Sequence, residues 1–159
     1  GEPLEASLAR AADELAWQQA PGHNTIGMLL AHLAIVEVFW VQAGMLGMDP
    51  FDVAAVLGIG VDDDGMPVAA GGASPAGLAG RDLGWYRELL GHAREHTKQK
   101  LRSVKDDALG ETLSGTRRNG QRREYNPRWV LFHLVEHFAG HYGQILLVRH
   151  LRRDAAARS

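Results

Sequence analysis

The chain has 159 residues, of which 45% are hydrophobic and 23% are charged, and its formal net charge is −2 at pH 7. This length predicts one domain over residues 1–159 with a sizeable core, and the near-neutral charge argues against a protein whose whole surface binds nucleic acid. The absence of cysteine excludes disulfides, thiolate zinc sites, iron–sulfur clusters and cysteine nucleophiles.

The first part of the chain predicts two long helices. Apolar residues recur on one helix face over residues 4–15, and a Pro-Gly pair at 21–22 then breaks the chain. Asn24 or Thr25 is a suitable cap for a second helix, which we expect to end near Gly44.

Neither a membrane span nor a secretory signal is expected. The apolar segment 26–46 is interrupted by His32, Glu37 and Gln42 before it reaches the roughly 18 unbroken apolar residues that a membrane helix needs. The first residues lack the basic start and apolar run of a secretory signal, so we expect a cytoplasmic protein. The sequence starts at Gly1 and not at a methionine, which leaves an earlier native start open.

A short helix and a long glycine-rich connection follow. Asp49-Pro50 is typical of a helix cap and first position, and this helix is expected to end near Leu57. Residues 58–80 contain seven glycines and two prolines, so we expect a non-helical connection that serves as a functional lid or a mobile loop. The aspartates at 62–64 lack the ligand spacing of a calcium loop and are interpreted as a solvated turn.

The second half of the chain predicts two more helices with a small β-hairpin between them. The third long helix is expected over residues 81–104. The polar segment 116–124 has Asn119-Gly120 at its centre, which favours a type I′ turn. Asn126-Pro127 begins the last helix, which runs to about Arg153. Four long helices predict an all-α fold, packed as a bundle.

Histidines interrupt the apolar seam of the last helix. His137 and His141 are four residues apart, so both lie on the face that Val130 and Ile145 mark as core-facing. His32 lies in the apolar stretch of the second helix, and neighbouring helices of a bundle pass about 8–10 Å apart. Three neutral imidazoles with an open position would form a catalytic zinc site. The pattern alone leaves two interpretations of His137 and His141 open: metal ligands or ordinary buried histidines.

Other polar residues near this seam have several interpretations. His133, one turn earlier on the last helix, is interpreted as a partner of a ligand or as a packed core histidine, rather than as a ligand. Glu37 and Glu136 could orient an imidazole or act as a base, with a surface salt bridge as the favoured alternative. His92 and His96 share the four-residue spacing, but their charged neighbours indicate a solvated face.

Five arginines cluster around the start of the last helix. A solvated loop is the favoured interpretation, and contacts with phosphates, with an anionic thiol or with a partner subunit are alternatives. Because no aromatic residues interleave with these arginines, we do not expect nucleic-acid binding. They are Arg117, Arg118, Arg122, Arg123 and Arg128.

Two segments resemble the DinB-like superfamily of metal-binding four-helix bundles. The resemblance covers nearly the whole chain in order and spacing, including the long connection before the third helix. In the second helix it rests on residues 24–33, Val36-Glu37 and Phe39-Trp40. In the last helix it rests on Trp129, residues 133–137, His141 and Gly143-Gln144-Ile145.

The resemblance implies a metal site. By position, the family's ligands are His32, His137 and His141, and the ion is a divalent cation, with zinc or nickel favoured. It also implies a homodimer that pairs through helices, although no residue of this sequence specifies the interface.

The resemblance further implies a thiol-dependent reaction. Related members are transferases or isomerases that use a low-molecular-weight thiol such as bacillithiol or mycothiol, so the substrates would be a small thiol and an electrophile. The lack of cysteine fits a nucleophilic thiol that comes from outside the chain. A metal-dependent hydrolase and a non-catalytic stress-response or binding module are the alternative functions.

Overall fold

The computed structural model describes residues 11–66, 72, 74–116 and 121–158. Helices dominate this part of the chain, so the all-α prediction is confirmed. The beginning of the predicted first helix lies outside the described residues. The elements are α1 (11–16), α2 (Ile26–Phe39), α3 (Ala54–Leu57), α4 (Leu83–Leu101), β1 (Leu113–Thr116), β2 (Arg122–Tyr125) and α5 (Pro127–Ala156).

The central helix of the core is α2. Thr25, one of the two predicted caps, accepts the N–H of Met28 at 3.1 Å, and the helix continues through a π-helical segment, Trp40–Met45. Ile26–Met45 is long and apolar enough to cross a membrane, but 72% of its most apolar 18-residue stretch is buried inside the protein. Because α2 also packs against both α4 and α5, it has the environment of a core helix.

Two groups of buried side chains hold the helices together. The larger lies along α2 and includes Met28, Ile35 and Val38, each at most 1% exposed. The smaller joins Trp40 to Val130 of α5. Burying side chains of this size stabilises the fold by about 1.5–3 kcal/mol each, so the faces of α2 and α5 that meet are fixed.

The short helix α3 begins later than the sequence predicts. The predicted start at Asp49-Pro50 is wrong, because the helix begins at Ala54. The side-chain amide of Gln42 donates to the carbonyl of Asp52 at 3.0 Å and accepts its N–H at 2.7 Å, so both backbone groups are taken outside a helix. The Asp52 carboxylate accepts the N–H of Ala55, so Asp52 supplies the side-chain acceptor for the first turn.

The connection between α3 and α4 forms no α-helix in its described residues, as predicted. Two short 3₁₀ turns lie near its ends, Val61–Asp63 and Ala76–Leu78. Residues 67–71 and 73 lie outside the described residues, so the predicted lid or mobile loop stays a prediction. The following helix, α4, begins after Asp82, whose carboxylate accepts the N–H of Trp85 at 2.7 Å.

A hairpin precedes α5, as the sequence predicts. Strands β1 and β2 pair antiparallel, with Leu113 opposite Tyr125, while the Asn119-Gly120 turn lies outside the described residues. Asn126 accepts the N–H of Trp129 at 2.8 Å, and Pro127 occupies the first position of α5. The predicted start of the last helix is therefore confirmed.

Candidate metal centre

Three histidines from two helices converge on one point. His32 projects from α2, and His137 and His141 project from α5; their candidate ligand atoms all lie within 4.8 Å of one another. The Nε2 atoms of His32 and His141 are each 3.0 Å from Nε2 of His137. The three residues that the sequence singled out are thus brought together.

Helix spacing explains why α5 presents two of them. Val130 is fully buried at one end of the seam, and Ile145 and Val148 pack against the core at the other end. Residues four apart on a helix share a face, so His137 and His141 between these anchors face α2. The side chain of His32 is 13% exposed, which places the cluster at a partly sheltered surface.

Two acceptors hold the outer nitrogens of the cluster. Nδ1 of His32 lies 2.9 Å and 3.0 Å from the two carboxylate oxygens of Asp64. Nδ1 of His141 lies 2.7 Å from Oε1 of Gln144. Because a carboxylate or carbonyl oxygen accepts hydrogen bonds, each of the two imidazoles in its neutral form carries its proton on Nδ1 and turns the lone pair of Nε2 towards the centre.

This arrangement makes the three nitrogens a suitable donor set for a cation. Nε2 of His137 faces the Nε2 lone pairs of His32 and His141. It carries at most one proton, so it can donate a hydrogen bond to only one of these two nitrogens. At least one of the two 3.0 Å contacts therefore lacks a hydrogen bond. Imidazole nitrogens suit zinc, nickel, copper and iron, so the cluster is compatible with a divalent ion.

The surroundings keep His137 neutral. Burial lowers its pKa to about 4, with further contributions from His141, His32 and His133, while Asp64 acts in the opposite direction. Since a histidine must be neutral to bind a metal, His137 is ready to act as a ligand at neutral pH.

Comparison with known protein families adds an independent finding. A family model described as mycothiol-S-transferase matches residues 2–153. The chain belongs to this family. The match confirms the DinB-like resemblance over nearly the whole length, and it supports a protein of the thiol S-transferase type. No curated protein and no solved structure shows a significant match to the chain.

Sequence reasoning missed Asp64 as a partner of the histidine cluster. The solvated turn predicted for the aspartates at 62–64 is wrong for Asp64, whose side chain is 18% exposed and bonded to His32. No helical spacing links the two residues, so the contact follows from tertiary packing. Gln144 was within reach of sequence reasoning, because it lies three residues after His141 on the same helix.

Of the two predicted orienting groups or bases, Glu37 pairs with an arginine, and Glu136 contacts an imidazole outside the three-histidine cluster. Glu37 is 3% exposed and accepts two hydrogen bonds from Arg94, at 2.8 Å and 3.2 Å. Glu136 lies 3.0 Å from Nδ1 of His133. The favoured salt bridge is therefore present for Glu37, although the carboxylate is buried rather than at the surface.

His133 packs among aromatic rings. It stacks in parallel on Trp129 with 4.8 Å between the ring centroids, and it meets Trp40 edge-on at 5.4 Å. Its ring centroid lies 5.5 Å from that of His137. These contacts agree with the packing role that the sequence predicts.

The arginine cluster is only partly a solvated loop. Arg117 and Arg118 lie outside the described residues, and Arg122 and Arg128 are exposed. The guanidinium of Arg123, however, lies over the rings of Trp40 and Trp129, 4.4 Å and 5.1 Å from their centroids. The solvated interpretation is therefore wrong for Arg123, which extends the aromatic packing around His133.

The second His-x-x-x-His pair differs between its members. His92 is exposed, as the sequence predicts. His96 is half-buried and its Nε2 has no hydrogen-bond partner among the described residues, so the solvated interpretation is wrong there. Burial is the main cause that lowers the pKa of His96, and Lys100 adds to it.

Proposed function

We propose that this protein is a metal-dependent thiol S-transferase in which His32, His137 and His141 hold a divalent ion, with zinc or nickel favoured. The observation that carries the proposal is the convergence of three Nε2 atoms, two of them with inward lone pairs. Membership of the mycothiol-S-transferase family supports the reaction class. The substrates are a low-molecular-weight thiol and an electrophile.

The chain's own residues prepare the ligands. A divalent ion bound here would lower the pKa of a coordinated thiol, which makes thiolate available at neutral pH. Asp64 and Gln144 hold the protons of His32 and His141 on Nδ1, away from the centre. Because neutral imidazoles add no negative charge, a bound ion would keep its full positive charge. The chain has no cysteine, so the nucleophilic sulfur must come from the external thiol.

A cobalt titration tests the thiol step. Cobalt(II) is loaded in place of the native ion, and a small neutral thiol such as 2-mercaptoethanol is added at pH 7.5. We expect a thiolate-to-cobalt absorption band that saturates with one thiol per chain. His32→Gln should lose the band, whereas His92→Ala, which alters an exposed histidine of α4, should keep it.

The alternatives predict other outcomes of the same experiment. Ester hydrolysis without any thiol, combined with no thiol-dependent band, would favour a metal-dependent hydrolase. A metal-loaded protein inert towards thiols and esters alike would favour a non-catalytic binding module. The cytoplasmic location and the lack of nucleic-acid binding stay predictions from the sequence.

We also propose that the partner of the protein is a second copy, bound along the outer face of α5. Of the exposed large hydrophobic side chains in the described part of the chain, six lie on α5, and Phe132 and Val135 are 63% and 71% exposed. Residues 132, 135, 139, 142 and 146 alternate spacings of three and four, as in a seam between paired helices. Phe132 and Tyr142 are 63% and 59% exposed, so each offers more than half of the about 150–250 Å² of an aromatic side chain towards the roughly 800 Å² that each partner buries in a stable interface.

A further inference from the structure

The loop that carries Asp64 is fixed on both sides of this residue. The carboxylate of Asp63 accepts the N–H of Gly60 at 2.9 Å and closes the turn before it. Oδ1 of Asp64 itself accepts the N–H of Met66 at 3.1 Å, in addition to its contact with His32. The side chain that reaches His32 therefore projects from a hydrogen-bonded segment.

Gly65 allows this segment to lie against α2. A Cβ atom built at Gly65 would be 2.6 Å from Cε of Met28 and 2.8 Å from Cδ of Pro75, closer than Cβ atoms approach other atoms in proteins. Cε is the flexible end of the Met28 side chain and can move, whereas the ring of Pro75 is rigid, so the contact with Pro75 is the one that cannot yield easily. A side chain at position 65 would therefore displace this segment from its packing against Pro75, and Asp64 with it.

We propose that Asp64 is a positioning residue for the metal site, that Gly65 is the residue that permits it, and that closure of the 60–66 segment is linked to metal binding. The proposal rests on the proposed metal site. A carboxylate on Nδ1 fixes the tautomer and the ring orientation of a ligand histidine and makes it a better donor. Linkage is reciprocal, so loop closure that favours metal binding is itself favoured by the metal.

The tautomer of His32 tests the positioning role without any metal. In metal-free wild-type protein, at a pH where the imidazole is neutral, nitrogen NMR of labelled histidines should find the proton of His32 on Nδ1. Asp64→Ala should shift it towards Nε2, whereas Asp64→Asn, which keeps an acceptor oxygen, should retain it on Nδ1. A proton on Nδ1 in all three proteins would overturn the role of Asp64.

Zinc affinity, measured by competition with a chelator, tests the consequence for binding. Asp64→Ala and Gly65→Ala should each weaken zinc binding about 10–100-fold, the usual effect of losing an outer partner of a metal ligand. Glu136→Gln is the control for the loss of a carboxylate. It should keep wild-type zinc affinity, because Glu136 contacts His133 and not one of the three ligand histidines. Gly60→Ala is the control for the added methyl group. It should keep wild-type zinc affinity, because a Cβ at position 60 would make only an ordinary van der Waals contact, 3.8 Å from Cβ of Ala54.

Hydrogen exchange tests the linkage itself. Zinc should slow exchange of the amides of 60–66 in wild-type protein, and Asp64→Ala should abolish that protection while circular dichroism shows an intact helical fold. Wild-type affinity in both Asp64→Ala and Gly65→Ala would overturn this proposal and leave the proposed function standing. Wild-type protein that binds neither zinc nor nickel would contradict both.

Discussion

Nε2 of His32 and Nε2 of His137 lie 3.0 Å apart although 105 positions separate the two residues in the chain. Two polar nitrogens at this distance in a partly buried place require a shared proton or a shared cation. His137 can share its one proton with only one of its two neighbours, since His141 lies equally close. The contact therefore connects the packing of α2 on α5 with the chemistry of the site.

The first prediction concerns metal content. Purified protein should carry close to one divalent ion per chain, and His137→Ala or His141→Ala should lose most of it, because two imidazoles alone do not complete the donor set. Elemental analysis after gel filtration measures this content. His92→Ala is the matched control, and metal loss in that variant together with metal retention in His137→Ala would show that the site is elsewhere.

The second prediction concerns pH and the metal-free protein. The pKa of His137 is about 4 in the folded state, against an ordinary value of 6.5. Between these two values the unfolded chain binds a proton that the folded protein does not, so stability falls as the pH drops from 6.5 to 4. Urea unfolding at several pH values should find a shallower fall in His137→Gln. Parallel curves for the two proteins would contradict this assignment.

The third prediction separates the buried ion pair from the reaction. Arg94→Met leaves the carboxylate of Glu37, which is 3% exposed, without its partner. We expect a loss of about 1–3 kcal/mol in the free energy of unfolding, with unchanged metal content. Arg149→Met, which breaks an exposed pair with Glu14, should cost under about 1 kcal/mol. Loss of metal in the first variant would give Glu37 a role at the site.

The fourth prediction concerns assembly. Phe132→Glu places a charge in the exposed seam of α5, so it should convert a dimer of about twice 17.3 kDa into a monomer. Light scattering at micromolar concentration measures the mass. Leu83→Glu changes a residue of α4 that is 46% exposed and should leave the dimer intact. A wild-type mass of one chain would refute the interface.

Local signals predict much of the fold and part of the site. Caps such as Thr25 and Asn126 fix helix starts because each accepts a nearby backbone N–H, and the His137–His141 spacing is a property of one helix. The contribution of Asp64 is not local. It depends on a loop that reaches α2 through a close approach at Gly65, and no spacing in the sequence encodes that approach.

The start of α3 was unpredictable for a similar reason. Asp49-Pro50 has the chemistry of a helix start, but the amide of Gln42 binds the backbone of Asp52 across the loop. Arg123 likewise lies in a polar segment that is typical of a solvated loop, yet strand β2 places its guanidinium over the ring of Trp40. In each of these cases a tertiary contact overrides the local preference.

Transfer of a thiol to an electrophile by the zinc-loaded protein tests the central claim most directly. With 2-mercaptoethanol and 1-chloro-2,4-dinitrobenzene, the sulfur displaces chloride, the thiol proton goes to solvent, and mass spectrometry detects the thioether above the uncatalysed rate. We predict that wild-type protein raises the rate of product formation above the uncatalysed rate, that a chelator removes this increase and zinc restores it, and that folded His32→Gln shows no increase. Metal-loaded wild-type protein that transfers neither this thiol nor any other low-molecular-weight thiol, or transfer at the full rate after the metal is removed, would contradict the account.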